Sequence, residues 1–185
     1  MTIEQSAVDM TEALRKAKVP HMIVGGLSSN FYGIPRNTKD VDIVIELRHS
    51  KQLAEVASHL PDCFKFDSQV TFETITGSVR HIVKIVGTPF VIELFELATD
   101  DFQKSRFERR KEIFVPQLNA SVSIPTAEDV VIQKLRWARP KDLEDARDVM
   151  AVQGEALNRE YIADWCRKLG ILERYETLVA SVPDI

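Results

Sequence analysis

The segment from residue 40 to residue 47 constrains the fold more than any other part of the chain, because its side chains alternate in polarity. The aliphatic residues Val41, Ile43, Ile45 and Leu47 occupy every second position, and the positions between them are Asp40, Asp42, Val44 and Glu46. Successive side chains of a β-strand point to opposite faces, so this pattern predicts a strand with one apolar face. Such a strand is stable only within a sheet.

Further segments supply the predicted neighbours of this strand. The apolar run at 21–24 predicts a short strand, and residues 27–32, which are followed by Gly33 and Pro35, predict a brief helix. Strands are also predicted at 64–66, 69–76, 80–86 and 90–97, where turn residues separate them in the manner of hairpins. The sequence therefore predicts a sheet of about five strands.

Helical patterns lie on both sides of this β-rich region. Apolar residues recur at spacings of three and four between residues 3 and 17, and residues 50–60 have helical composition with Ser50 as the expected cap. From Thr126 onward the pattern is helical to the end, and Asp129 completes a capping signal. The character of the sequence changes around 116–124. We predict an α+β fold in which a small mixed sheet is flanked by helices, with an α/β core at 1–125 and a helical C-terminal subdomain at 126–185.

The paired carboxylates of the alternating strand are the first candidates for chemistry. Asp40 and Asp42 are two residues apart on one face, and their side chains start roughly 6 to 7 Å from each other. Both can reach one Mg²⁺ ion, which prefers oxygen ligands. The alternative is that both are solvated residues on the open face of an edge strand. Aspartate is poorly suited to strands, so its presence here favours a functional site.

The residues that precede the carboxylates suit the binding of phosphate. Gly25 and Gly26 follow a predicted strand, where glycine lets the backbone approach a ligand and the next helix, which contains Ser28, presents its amide groups. The alternative is that the glycines only form a turn. Arg36 and Thr38 lie immediately before Asp40, where phosphate oxygens would have to be.

Two separated motifs resemble a known family. The string V-G-G-L-S-S-N-F-Y-G-I-P-R-N-T-K-D-V-D-I-V-I at 24–45 resembles the signature of the nucleotidyltransferase superfamily, and within it the minimal nucleotidyltransferases related to the AbiEii toxins of abortive-infection systems. The string P-T-A-E-D-V-V-I-Q-K-L-R-W-A-R-P-K-D-L-E-D-A-R at 125–147 is similar to the downstream Lys and Arg/Lys-Asp-x-x-Asp motifs of that family. The resemblance implies a polymerase-β-like palm with the carboxylates at one end of the sheet.

The resemblance also implies roles for further residues. The family usually has a third carboxylate on a neighbouring strand, for which Glu93 is the first candidate and Glu96 the second. The implied cofactor is Mg²⁺, as two ions, with Mn²⁺ as a substitute. Its implied ligands are Asp40, Asp42 and Glu93.

Downstream, Lys134 is the implied catalytic lysine, although a solvated helix lysine would give the same pattern. Lys141, Asp142 and Asp145 are implied nucleotide-binding residues. The two aspartates are equally explained by the preference for acidic residues at the start of a helix.

The function implied is the transfer of a nucleoside monophosphate from a nucleoside triphosphate to a hydroxyl. The acceptor classes left open are tRNA, a protein side chain and a small molecule, and a toxin of a toxin-antitoxin pair belongs to the same family. A second copy of the chain or an antitoxin is the candidate protein partner. Glutamate at Glu93 and glycine at Gly26, where many relatives have aspartate and serine, favour an alternative: an inactive module that binds nucleotide or a protein.

Charge and cysteine content set the remaining expectations. The net charge of −4 gives no overall attraction to nucleic acid. The basic residues at 106–111 predict either a polyanion-binding patch or, more simply, a solvated face. Cys63 and Cys166 are isolated from each other and from histidines, which disfavours a disulfide framework and a zinc site and favours the reducing cytoplasm. No apolar run approaches about 18 residues, so we predict neither export nor a membrane span.

Overall fold

The computed structural model describes residues 1–182. Its helices are α1 (Ile3–Lys16), α2 (Gly25–Tyr32), α3 (Lys51–Ser58), α4 (Asp101–Glu108), α5 (Ala127–Trp137), α6 (Pro140–Gln153), α7 (Arg159–Lys168) and α8 (Leu172–Ser181). Its strands are β1 (His21–Val24), β2 (Asp40–Ile45), β3 (Phe64–Phe72), β4 (Val79–Ile85), β5 (Val91–Glu96), β6 (Lys111–Val115) and β7 (Ala120–Ile124). The predicted α+β class is confirmed.

The main sheet has five strands in the order β1-β2-β5-β4-β3. β2 pairs in parallel with β5, and the other neighbouring strands are antiparallel, so the sheet is mixed as predicted. β2 has a partner on each side. Asp40 and Asp42 therefore do not lie on an edge strand. The alternative explanation, that both are solvated residues of an edge strand, is wrong in this respect.

The two faces of β2 have different surroundings. The aliphatic face of Val41, Ile43 and Ile45 is fully buried in the main hydrophobic core, together with Met10 and Leu14 of α1. The opposite face is apolar only at its far end, where Val44 packs in a small cluster with residues of β1 and α4. Asp40 and Asp42 occupy the remaining part of that face, which leaves them available to a cavity.

In the strands beyond β2, one prediction is wrong and one hairpin was not predicted. Residues 67 and 68 do not form a hairpin turn, because β3 continues through them with a register shift between Phe66 and Val70. The side chain of Asp67 accepts hydrogen bonds from Lys84 of β4 and from the backbone of Gln69, so a bulge accommodates these turn-forming residues within the strand. The region at 111–124, for which only a change of character was predicted, forms the separate hairpin of β6 and β7.

The C-terminal helices surround a second hydrophobic cluster. α5 begins as predicted, with the backbone N–H of Asp129 donating to the hydroxyl of Thr126 at 3.3 Å. The predicted cap at Ser50 is wrong, since its side chain makes no capping hydrogen bond to α3. Helix α4 was not predicted. Its Phe102, which precedes the predicted boundary at 125 in the sequence, packs in this second cluster. The boundary at 125 therefore stays a prediction.

Within 1–182, no helix combines the length and the apolar character needed to cross a membrane.

Candidate active site

The register of the sheet places the predicted carboxylates side by side. In the parallel pair of β2 and β5, Asp42 lies opposite Glu93, and Asp40 lies opposite Val91. The side chains of Asp40, Asp42 and Glu93 all line one cavity of about 350 Å³. The paired aspartates thus meet a carboxylate that is distant in sequence, Glu93, at one end of the sheet.

Gly25 makes room for one of these carboxylates. Val24 pairs with Asp42 across β1 and β2, so the chain passes directly beside Asp42 as it enters α2. A Cβ atom at Gly25 would lie 1.9 Å from Oδ2 of Asp42, and its φ of +62° lies in the region that favours glycine. A Cβ atom at Gly26 would be 3.2 Å from the hydroxyl oxygen of Thr38. The glycine pair was expected to admit a ligand, and Gly25 in fact admits the Asp42 side chain.

The electrostatic environment of Asp42 is unfavourable to its charge. Burial, and then the negative charge of Glu93, raises the pKa of Asp42 to about 6. Neither Asp40 nor Asp42 forms an ion pair within residues 1–182. A bound cation would relieve this concentration of negative charge.

Glu93 differs from the two aspartates because a cation of the protein already faces it. Nη1 of Arg80 donates to both carboxylate oxygens of Glu93, at 3.3 and 3.2 Å, while Nε of Arg80 donates to the hydroxyl of Thr71 at 2.9 Å. The second candidate, Glu96, accepts or shares a hydrogen bond with Nε2 of His81 at 2.7 Å and lines a cavity at the other end of the strand. Glu96 therefore does not join the site.

The carboxylates fit a metal ion that shares its ligands with a substrate. Within residues 1–182, no group of three or more His, Cys, Asp or Glu side chains has the arrangement of a complete metal site. Mg²⁺ usually takes one or two carboxylates from the protein and completes its coordination with water and substrate phosphates. The unpaired Asp40 and Asp42 fit this mode of binding.

Three of the eight predicted nucleotide-binding residues, Arg36, Asp142 and Asp145, form one ion-pair network with Lys134 and Arg139. Nζ of Lys134 donates to Oδ1 of Asp142 at 3.2 Å and to Oδ2 of Asp145 at 2.7 Å. Arg36 donates to both carboxylate oxygens of Asp145, at 2.7 and 2.9 Å, and Arg139 donates to those of Asp142. We call these five residues the ion-pair network. Lys134 is 4% exposed, so it is not a solvated helix lysine.

The remaining predicted residues lie in two different settings. The hydroxyl of Ser28 is buried and donates to the carbonyl of Gly25 at 3.0 Å, within α2. The hydroxyl of Thr38 donates to the carbonyl of Asp40 at 3.2 Å. Lys39 and Lys141 line a cavity beside the carboxylates and form no ion pair with the described residues. These two lysines are thus open to an anionic ligand.

Two cavities meet at Asp40 and Asp42. The first, here named the basic cavity, has a volume of about 310 Å³ and is lined by five cationic side chains: Arg36, Lys39, Lys134, Arg139 and Lys141. The second, here named the hairpin cavity, is the 350 Å³ space between the tip of the β3–β4 hairpin and the α5–α6 connection. Both share Asp40, Asp42, Trp137, Arg139 and Lys141. A larger cavity of about 520 Å³ lies at the opposite end of the sheet, away from the carboxylates.

Sequence reasoning missed several residues that line these cavities. Arg80 and Glu73 come from segments predicted only as strands, and their places in the site depend on the hairpin and on strand order. Lys39 and Arg139 lie inside the two quoted motifs, so their proximity to predicted site residues was an available signal. Trp137, also inside the second motif, lines both cavities.

The basic cluster at 106–111 divides between the interior and the surface of the fold. Arg106 is 3% exposed, and burial lowers its pKa to about 10. Nε of Arg109 donates to Asp129 at 3.2 Å, and the guanidinium of Arg110 lies 4.0 Å from the ring centroid of Phe107. The expectation of a solvated face is wrong for the buried Arg106 and agrees with the exposed Arg109 and Lys111. The polyanion-binding patch stays a prediction.

Comparison with known proteins gives structural likeness only. No family model and no curated protein matches the chain. ANT(2″)-Ia in complex with adenylyl-2″-tobramycin superposes with a TM-score of 0.60 at 14% identity, over 95% of this chain and 99% of that one. The antigenic nucleotidyltransferase-like protein of Paracoccidioides brasiliensis gives 0.53 at 18% identity, over 98% and 94%. The lincomycin-bound lincosamide adenylyltransferase LnuA gives 0.52 at 11% identity, over 82% and 98%. All three share the fold of this chain.

Proposed function

From the polymerase-β-like nucleotidyltransferase fold of this chain, we propose that it transfers a nucleoside monophosphate from a nucleoside triphosphate to a hydroxyl group. The observation that carries the proposal is the position of Asp40 and Asp42, which lie unpaired where two cavities meet. A hydroxyl oxygen bonds to the α-phosphorus there, the bond from that phosphorus to the β-phosphate oxygen breaks, and pyrophosphate leaves. The hydroxyl proton passes to water in the cavity.

The proposed metal ligands are Asp40 and Asp42, with Glu93 as the implied third carboxylate. When bound, Mg²⁺ offsets the charge of the phosphates and makes the hydroxyl more acidic. Two ions are proposed, as the resemblance implies, and Mn²⁺ would substitute. Because Arg80 already offsets the charge of Glu93, we propose that the aspartates dominate metal affinity.

The proposed site for the triphosphate is the basic cavity. Lys39 and Lys141 are free to contact phosphate oxygens, and Gly26 and Thr38 line the same space. In the ion-pair network, Lys134 and Arg36 are already bonded to carboxylates. We therefore propose that the network positions α5 and α6 against the loop that carries Thr38, and that it contacts nucleotide less directly than Lys39 and Lys141 do.

The proposal extends to the biological setting in two respects. A role as a toxin related to AbiEii would require tRNA or a cellular protein as the acceptor, and an antitoxin or a second copy as partner. ANT(2″)-Ia and LnuA, whose structures carry adenylyl-tobramycin and lincomycin, favour a small-molecule acceptor by their likeness. The proposed compartment is the cytoplasm, where Cys63 and Cys166 would remain the free thiols seen here.

The competing function is a non-catalytic module that binds nucleotide or a protein partner. The observation that favours it is the ion pair between Glu93 and Arg80, since a carboxylate held by arginine is a poorer metal ligand. The two functions differ in whether nucleotide binding depends on a divalent metal.

Calorimetry with each of the four nucleoside triphosphates, with and without Mg²⁺, tests the proposal. We expect binding that requires Mg²⁺ in the natural protein, and none in Asp42→Asn. Transfer from α-labelled nucleotide to any acceptor in a cell lysate should fall by a factor on the order of 10³ in the same variant. Glu108→Gln, a change at an exposed carboxylate away from Asp42, serves as the matched control. Nucleotide binding that needs no metal and survives Asp42→Asn would establish the module instead.

A further inference from the structure

The geometry points to the hairpin cavity as the acceptor site and to a small, phosphate-free hydroxyl compound that carries an amine as the acceptor. The inference rests on the proposed nucleotidyl transfer and adds the class of its second substrate. Because donor and acceptor must meet at the α-phosphorus, they have to approach Asp40 and Asp42 from different sides. The two cavities that share these aspartates provide those two sides.

The charges of the two cavities assign one substrate to each. Five cationic and two acidic side chains line the basic cavity, which suits a triphosphate. Three cationic and four acidic side chains line the hairpin cavity. Arg139 and Lys141 belong to both, so a bound triphosphate would engage them. The charged side chains that line only the hairpin cavity, and so remain for the acceptor, are Arg80, Glu93 and Glu73.

Among these three residues, Glu73 is the one whose charge has no ion-pair partner among the described residues. Arg80 and Glu93 pair with each other, whereas Glu73 forms no ion pair with any described residue. Burial raises the pKa of Glu73, but hydrogen bonds from the hydroxyl of Thr76 and from the backbone of Ile75 outweigh it and hold that pKa below its usual range. Glu73 is therefore ionised at neutral pH. A phosphate on the acceptor would face this charge, and an amine would be attracted to it.

The size and the apolar surface of the hairpin cavity suit a small molecule. Its volume of about 350 Å³ is in the range of sites for small ligands. Ile75, Phe95 and Trp137 contribute apolar surface beside the charged groups, which matches a ring that carries hydroxyl and amine substituents.

A nucleic-acid acceptor would need a basic surface that continues away from the site. Affinity for nucleic acid comes mainly from several contacts between cations and phosphates. The one basic run of the sequence, at 106–111, does not continue from the site, because its Arg110 lines the cavity at the opposite end of the sheet. In the same run, Arg106 is buried and Arg109 is paired with Asp129. Charge and shape therefore both favour the small amine over tRNA.

Binding of defined probes to the natural protein, saturated with Mg²⁺ and a non-hydrolysable ATP analogue, tests the inference. Tobramycin and lincomycin are the amine probes, and glucose 6-phosphate and total tRNA are the phosphate-bearing probes. We expect tobramycin to bind and glucose 6-phosphate not to compete. Tighter binding of tRNA or of glucose 6-phosphate than of either amine, or no binding of either amine, would overturn the inference.

Two charge variants of Thr74 test the role of charge without disturbing the turn that Glu73 stabilises. Thr74 is exposed, lines the hairpin cavity and does not contribute to the hydrogen bonds of Glu73. We expect Thr74→Lys to weaken tobramycin binding about threefold to tenfold and Thr74→Glu to strengthen it, with unchanged affinity for the ATP analogue. Equal affinities in the two variants would overturn the inference. Loss of Mg²⁺-dependent binding of the ATP analogue itself is the separate result that would refute nucleotidyl transfer.

Discussion

The carboxylates at the end of β2 and the ion-pair network on α5 and α6 use charge in opposite ways. Asp40 and Asp42 lie beside Glu93 on one face of the sheet, with no ion pair to either aspartate among the described residues. Lys134, which lines the basic cavity, shares its charge between Asp142 and Asp145. The first group lacks a counter-charge, and the second is complete in the protein alone.

This difference separates an uncompensated charge from charges that are compensated within the fold. Asp40 is exposed, whereas burial and the charge of Glu93 disfavour the ionised form of Asp42. Charges that are buried as hydrogen-bonded pairs can be kept for structure, since removing one partner leaves the other uncompensated. We therefore expect substitutions in the two groups to change stability in opposite directions.

The largest expected effect on stability is that of Lys134→Met. The change leaves Asp142 and Asp145 with one arginine each and without the buried cation they share, so it should lower the free energy of unfolding by about 3 kcal/mol. Urea denaturation measures this loss. Lys141→Met, on the next helix and without an ion pair to the described residues, should cost no more than about 0.5 kcal/mol. Similar losses in both variants would show that the network has no special structural role.

In the metal-free protein, the contribution of Asp42 to stability should fall as the pH rises from about 4 to about 6. Asp42 has a raised pKa of about 6 in the fold, so in this range the folded state binds a proton at Asp42 that the unfolded state has already released. The contribution of Asp42 to the free energy of unfolding should therefore fall by about 2 to 3 kcal/mol across that interval. In Asp42→Asn this component should be absent, and at pH 7 the variant should be more stable than the natural protein.

Denaturation in chelator at pH 4 and at pH 7 measures this effect as the difference between the two proteins. Other groups titrate in both, so their contributions cancel in the comparison. If Asp42→Asn were less stable at pH 7, Asp42 would belong with the satisfied charges of the network, and the contrast between the two regions would fail.

The smallest effect is expected from a methyl group added beside Asp42. Gly25→Ala should lower the free energy of unfolding by about 1 to 2 kcal/mol more than Gly26→Ala, because Gly25 has a positive φ and its new Cβ would collide with the Asp42 carboxylate. Gly25→Ala should also weaken Mn²⁺ binding, since the carboxylate must move. Thermal unfolding and Mn²⁺ titration of both variants check this, and equal results would separate the glycine from the carboxylate site.

Local patterns accounted for much of the sheet and for the motif residues. The alternation at 40–47 predicted β2 correctly up to Ile45, and the signal at Thr126 predicted the start of α5. α4 was missed although Asp100 caps it by accepting from the backbone N–H of Gln103. The turn predicted at residue 67 was wrong because its residue types were judged without the pairing of Asp67 to Lys84 in the next strand.

The sequence by itself determined that Asp40 and Asp42 share one face, because strand alternation places them there whatever surrounds them. Only the tertiary structure decided which charges are satisfied. Arg36 and Asp145 are far apart in the chain, as are Arg80 and Glu93, and their pairing depends on strand order and on the docking of α6. Ionic interactions depend on distance in space and on burial, and neither is encoded in the spacing of residues along the chain.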